Sequence, residues 1–373
     1  MKKILAITPY GGRSGSEMML WQSLKKLPLD TFQTELYCLT ESELAKEETA
    51  PFPVHINPLD TNKWMHYADK VTRNFVATDL LERDLMRVHN KLKPDFWYIN
   101  TTALYTTAQL AVKHNIPFIV HVHETMWLND FIPTSHFKPM MEQANLLIAC
   151  SEKVKKIASV FNTNTKLLHS CFDASPMPNG THIDFKTALR KKLNIPDGAW
   201  LWGVVGRAEY NKGVDHLPAL FEHVANPDKH YVLWIGRVPD KGIHYYVCKN
   251  MASMGRSHQI IFTGSLAKDY YNNLASCDGL LVLSREDSFP VSMLEAGYLK
   301  KPILGFRSGG ITEFVTSETG ALVAQNDVRA LANYMENCRL SHIGFDEDTA
   351  HAKAKKFELS NYMPKLIELL QSV

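Results

Sequence analysis

The chain has 373 residues, of which 45% are hydrophobic and 21% charged. That is too long for one ordinary core and normal for a globular protein, so two domains are expected. A net charge of +2 excludes a bulk electrostatic argument for nucleic acid or another polyanion, and six scattered cysteines with no C-x-x-C pair exclude a disulfide frame and a cysteine zinc site. The thiols fit a reducing, cytoplasmic setting.

The opening MKKILAITPYGG carries an apolar run too short for a signal-peptide core and reads as a first buried strand. No window approaches a membrane-spanning length. Candidate strands follow at Lys3–Thr8, Thr34–Cys38, Phe96–Ile99, Phe118–His121, Leu146–Ala149 and Lys166–Leu168. Candidate helices between them are Glu17–Lys26, Asp69–Leu92, Thr102–Lys113 and Glu152–Val160. Such alternation predicts a parallel sheet with helices on both faces. The stretch Asp173–Asp197, with Pro176, Pro178, Asn179, Gly180 and a short basic helix, reads as a linker and lead-in. A second series then begins, with strands at Leu201–Val205, Tyr231–Ile235, Ile260–Thr263, Gly279–Leu283 and Pro302–Gly305, and helices such as Tyr270–Ser276 and Val291–Leu299. The fold class is therefore α/β, two doubly wound Rossmann-like domains facing a cleft. Residues 1–175 form the first and 176–357 the second. The last helix either finishes the second domain or, with 358–373, completes the first.

Four segments carry chemistry. The first is the loop Pro9–Glu17 (PYGGRSGSE), where Gly11, Gly12 and Gly15 allow close approach and positive φ, and a helix start offers donors to an anion. It lacks the Gly-Lys-Ser/Thr ending of a P-loop. The second is His121–Glu124 (HVHE) at a strand's carboxyl end, where ligands bind in such sheets. It has no third partner in sequence for a zinc site, and His123 is its site candidate. The third, Val204–Gly213 (VVGRAEYNKG), sets Arg207 and Lys212 on a strand-to-helix turn, suited to a diphosphate. The fourth is SREDSFPVSMLE (Ser284–Glu295), followed by Ser308, Gly309 and Gly310 after the next strand. Pro290 opens a helix there, and the amides near Ser288, Val291 and Ser292 can face phosphate. Glu295 can accept from vicinal ribose hydroxyls, and Asp287 or its neighbour Glu286 from sugar hydroxyls. Each acid alone is an ordinary solvated or capping residue; the set with the Gly-Gly loop is specific.

These segments resemble the retaining glycosyltransferases of family 4, which have the two-Rossmann GT-B fold. GRAEYNKG is similar to that family's G-R-x-x-x-x-K-G segment. EDSFPVSMLEAGYLKKPILGFRSGGITEFV is similar to its E-x7-E helix and Gly-Gly-x-x-E loop, GRSGSE to its glycine loop, and HVHE to its strand-end histidine. The resemblance implies transfer of a sugar from a UDP- or GDP-linked donor to a carbohydrate or lipid-linked acceptor hydroxyl, with retention and without a metal or other cofactor. It implies an acceptor-binding first domain, a donor-binding second domain and a place in cell-surface polysaccharide or glycoconjugate synthesis. Arg207 and Lys212 would hold the diphosphate, Glu295 the ribose and Asp287 the sugar. His123 would lie at the sugar's reacting face and Gly15 near the phosphates. The sequence departs from the pattern at Asp287, where the family's first acid is glutamate, so Glu286 stays an alternative.

A nucleotide-sugar 2-epimerase of the same fold, a pyridoxal-phosphate phosphorylase and a non-catalytic nucleotide-sugar-binding partner are the rival readings; a dinucleotide oxidoreductase lacks its fingerprint in both halves. Trp64–Asn90 is read as a solvated amphipathic segment, with peripheral contact at the inner face of a membrane as the alternative.

Overall fold

In a computed structural model the chain divides into two units, Met1–Ser170 with Leu359–Val373, and Cys171–Glu358. The structure describes residues 1–47, 49–58, 80–125, 131–178, 183–266, 269–342 and 344–373. Nearly half of the expected helix Asp69–Leu92 and most of the amphipathic segment Trp64–Asn90 lie outside those residues; Leu80–Leu92 is helical.

Among the described residues the first unit holds seven parallel strands: β1 (Lys2–Thr8), β2 (Phe32–Cys38), β3 (Val54–Ile56), β4 (Phe96–Asn100), β5 (Phe118–Val122), β6 (Leu146–Ala149) and β7 (Thr165–Leu167). Their order is β3-β2-β1-β4-β5-β6-β7. Helices cover both faces, so the central strands are continuously apolar rather than alternating; Ile4, Leu5, Ala6 and Ile7 are all fully buried. The order reverses between β1 and β4, which makes the loops after those strands the expected ligand crevice. The C-terminal helix Leu359–Ser372 closes this unit: Lys2 Nζ donates to the carbonyl of Gln371 at 2.7 Å.

The second unit holds β8 (Trp200–Val205), β9 (His230–Ile235), β10 (Ile260–Gly264), β11 (Gly279–Val282), β12 (Ile303–Phe306) and β13 (Gly320–Val323). They are parallel in the order β10-β9-β8-β11-β12-β13, so the reversal falls between β8 and β11. Its core gathers Trp202, Trp234, Leu217, Phe221, Leu281, Phe306 and Leu331.

Several expectations need correction. The edge strand β3 and the glycine-led β13 are not among the expected strands. The helix Thr134–Glu142 was missed because Pro139 sits inside it. Thr102–Lys113 is a tight turn, Thr102–Leu104, followed by a helix from Tyr105. The basic stretch expected in a linker is docked: on the helix Ile183–Lys192, Lys186 and Arg190 contact Asp278 at 2.6 and 3.0 Å.

Candidate functional site

In the second unit, three loops converge at the carboxyl ends of β8, β11 and β12. After β8 the chain makes a tight turn, Tyr210–Lys212, then Gly213 in the left-handed region at φ 74°. A Cβ on Gly213 would stand 2.2 Å from the Leu283 carbonyl oxygen, so the β8 loop presses on the β11 loop and only glycine fits. The Gly-Gly loop after β12 is as close: Gly309 lies at φ 53°, and Gly310 N–H donates to the Asp287 carbonyl at 3.1 Å.

A small concavity between the ends of β8 and β11 is lined by Val204, Val205, Lys212, Leu281, Val282, Leu283, Ser284, Asp287, Pro290 and Ser292. Within it Lys212 Nζ donates to Asp287 Oδ2 at 2.5 Å, and Ser284 Oγ donates to the same oxygen at 3.2 Å. Asp287, and not Glu286, is the acid among these lining residues. Glu286 contributes its carbonyl oxygen to Asn211 Nδ2 at 3.3 Å. Pro290 stands immediately before the helix Val291–Tyr298, with fixed φ −60°. The first N–H groups of that helix have no intrahelical acceptor, so its start suits an anion.

The other candidates are placed apart from that concavity's lining. Arg207 is 59% exposed and pairs with Glu209 at 2.8 Å. Glu295 lies within the helix Val291–Tyr298 and is 6% exposed. Its carboxylate accepts from Tyr270 Oη at 2.5 Å and Tyr271 Oη at 3.4 Å. Burial raises the Glu295 carboxyl to about 7, and the two tyrosine hydroxyls only partly offset it.

In the first unit a polar cluster sits after β1, β4 and β5. His123 Nε2 donates to Asn100 Oδ1 at 3.1 Å, and Asn100 Nδ2 donates to the Ser16 carbonyl at 3.3 Å. Burial pushes the His123 imidazole down to about 3, so it is neutral and offers Nδ1 as an acceptor. Its ring lies 4.0 Å from that of His121, centroid to centroid. Glu124 organises the turn: its carboxylate accepts from Thr102 N–H at 3.0 Å, Thr102 Oγ1 at 2.9 Å, His123 N–H at 3.1 Å and the Thr101 hydroxyl. Burial raises its carboxyl even so. Thr101 holds φ 112°, a conformation costing a non-glycine residue roughly 1–3 kcal/mol. Such strain persists where surrounding contacts over-determine it.

The glycine loop meets one half of its expectation, close approach, and not the other, positive φ. Its glycines are not among the positive-φ residues. Gly11 and Gly12 serve space instead, since a Cβ would meet Ser42 Oγ and the Tyr10 ring, each at 2.0 Å. Gly15 starts the helix Gly15–Lys26, and Glu17 accepts from the Ser14 N–H at 3.2 Å in the manner of a capping box. Sequence reasoning missed Asn100, Thr101, Tyr270 and Arg285. Their long-range partners lie 23 to 84 residues away, and no local spacing reports such a contact.

The two-unit architecture is the GT-B fold of glycosyltransferases. HepE of Anabaena, solved in complex with UDP-glucose, superposes with a TM-score of 0.83 at 18% identity over 100% of both chains. WaaG, a glycosyltransferase involved in lipopolysaccharide biosynthesis, gives 0.75 at 12% identity over 98% of this chain and 99% of its own. Residues 185–341 match the family model of glycosyl transferases group 1. That stretch spans β8 to the helix Val328–Arg339 and contains Arg207, Lys212, Asp287 and Glu295. The chain is also 26% identical over 244 residues to a GDP-mannose-dependent monoacylated alpha-(1-6)-phosphatidylinositol monomannoside mannosyltransferase of Corynebacterium glutamicum, covering 61% of this chain and 62% of that one. The matches span 47% to 62% of the length of the three curated relatives. Among the described residues no helix is long and apolar enough to cross a membrane.

Proposed function

We propose that the protein is a retaining glycosyltransferase that moves a sugar from a nucleotide diphosphate to an acceptor hydroxyl. The observation that carries this reading is the Lys212–Asp287 pair at the β8/β11 reversal, beside the start of the helix Val291–Tyr298. A cation and helix amides at one point suit a phosphate whose charge grows as it leaves. An acid next to them can accept from sugar hydroxyls.

In this mechanism the anomeric carbon–phosphate oxygen bond breaks while a bond to the acceptor oxygen forms on the same face. The acceptor's proton passes to a departing phosphate oxygen. Lys212, Arg207 and the helix amides stabilise the diphosphate charge, taking the part a divalent metal plays elsewhere. Arg207 must exchange Glu209 for phosphate when donor binds, which its exposure permits. Glu295 takes the ribose hydroxyls after the tyrosine hydroxyls yield. Gly12 and Gly15 give a ligand close access to the first unit's loop, and neutral His123 accepts from a hydroxyl held at its own strand ends.

The donor base is uracil or guanine on this reading. HepE was solved with UDP-glucose, and the mannosyltransferase relative is named for GDP-mannose. A carbohydrate or lipid-linked acceptor in glycoconjugate synthesis is supported by the names of that relative and of WaaG. Calorimetry with UDP and GDP, followed by incubation of UDP- and GDP-sugars with sugar acceptors, tests the proposal. Proton NMR of the product should show the donor's anomeric configuration. Inversion would overturn the mechanism, and epimerised donor without acceptor would move the protein to the epimerase class.

A further inference from the structure

Lys212 stands on a loop of tight turns with no long helix to hold it, yet its ammonium position is what the donor site depends on. Several contacts that hold that loop come from the loop after β11 and gather on one side chain. Arg285, between Ser284 and Glu286, reaches from the β11 loop to the β8 loop. Its Nη1 and Nη2 donate to Asp215 Oδ1 and Oδ2 at 2.8 and 2.6 Å. Nη1 also donates to the Tyr210 carbonyl at 2.5 Å, and the guanidinium lies 3.6 Å from the centroid of the Tyr210 ring. Its own backbone N–H donates to the Asn211 carbonyl at 2.9 Å. Tyr210 and Asn211 precede Lys212, and Asp215 follows it, so the contacts bracket the lysine on both sides.

We propose that Arg285, through Asp215, is a positioning residue that fixes Lys212 against the donor diphosphate. The inference rests on the donor-site reading above. Arg285 is not among the concavity's lining residues and acts through the loop. Only a planar, bidentate cation supplies the contact: the two parallel bonds to Asp215 and the stacked face on Tyr210 are geometry that an ammonium lacks.

The test compares Arg285→Gln, Arg285→Lys and Asp215→Asn with Lys212→Met, by calorimetry with UDP, GDP, UMP and GMP. The expected result is a loss of about tenfold or more in nucleoside diphosphate affinity for each variant, with monophosphate affinity within about twofold of wild type. Arg285→Lys should fold normally, by its unfolding temperature, and still lose diphosphate affinity. Adding Arg285→Gln to Lys212→Met should cost less than about threefold more, because both remove the same contact. Equal losses for diphosphate and monophosphate would indicate a merely structural role and overturn the inference. Should Arg285→Gln not fold, Arg285→Lys alone decides: wild-type diphosphate affinity there overturns it. If wild-type protein binds neither UDP nor GDP, the donor-site reading falls first. If Lys212→Met weakens diphosphate binding while the Arg285 variants do not, only the positioning role is lost.

Discussion

Lys212 Nζ and Asp287 Oδ2 meet at 2.5 Å across 75 residues of sequence, joining the loop after β8 to the loop after β11. The lysine side chain is 32% exposed and the aspartate 13%, so the pair is screened less than a surface ion pair. On the proposed donor-site reading a donor takes the ammonium from the carboxylate, and the two substitutions should therefore separate. Lys212→Met should lower kcat/KM for the nucleotide sugar by at least about a hundredfold, near 3 kcal/mol. Asp287→Asn removes the competitor: UDP or GDP affinity should hold or rise, while turnover falls at least about tenfold through lost sugar contacts. Parallel losses of affinity in both variants would defeat the assignment.

Glu295 predicts a pH dependence with a definite sign. Its folded-state carboxyl titrates at about 7, above the ordinary 4.5. Between those values the folded state holds more protons than the unfolded chain, so this group's stabilisation is complete at acid pH and is lost as pH rises through 7. Glu295→Gln removes that titration. Relative to wild type, the variant should gain stability from pH 5 to pH 8, on the order of 1–3 kcal/mol. Chemical unfolding at the two pH values measures it. The ribose role predicts the opposite trend for ligand: wild-type affinity for UDP or GDP should rise from pH 6 to 8 as the carboxylate ionises, and the variant should lack that rise.

His123 carries the reverse sign. Its folded-state value of about 3 lies below the ordinary 6.5, so the folded state binds fewer protons in that window. The stability it contributes is present above pH 6.5 and is lost as pH falls towards 3. His123→Gln should flatten the acid side of the stability profile. It should also lower turnover at least about tenfold without moving either limb of the pH–rate profile above pH 5, because the imidazole is already neutral there. A limb near pH 6.5 that vanishes in the variant would contradict the buried, neutral histidine.

The parts of this molecule legible in sequence are those written locally. The runs at Ile4–Ile7 and Leu280–Val282 mark buried parallel strands, and both are found there. Pro290 announces a helix start, and the structure begins that helix at Val291. What escaped depends on distant pairing. Nothing near Glu295 reveals that Tyr270 and Tyr271 hold its carboxylate, and nothing near Arg285 reveals Asp215. Choosing between Asp287 and Glu286 needed a fact that spacing does not contain, namely which side chain turns towards Lys212. In the glycine loop composition signals close approach, which Gly11 and Gly12 show, but not the φ, which is not positive at any of the three glycines.

Gly309 is where positive φ and close approach coincide. It lies at φ 53°, and a Cβ there would stand 1.5 Å from the Asp287 carbonyl oxygen and 2.5 Å from its carbon. Neither atom is the end of a flexible side chain, so alanine must push the Asp287 peptide away and break the 3.1 Å bond from Gly310 N–H. Gly309→Ala should destabilise the protein by about 2–5 kcal/mol and lower UDP or GDP affinity, because the displaced peptide carries the Lys212 partner. Gly242→Ala is the control. That glycine begins the helix Gly242–Ser253, meets nothing within 4 Å and lies outside the positive-φ set. Alanine there should be neutral or stabilise by up to about 1 kcal/mol. Thermal unfolding with and without nucleotide distinguishes the two, and a Gly309→Ala protein as stable as Gly242→Ala would mean that the Gly-Gly loop does not clasp Asp287.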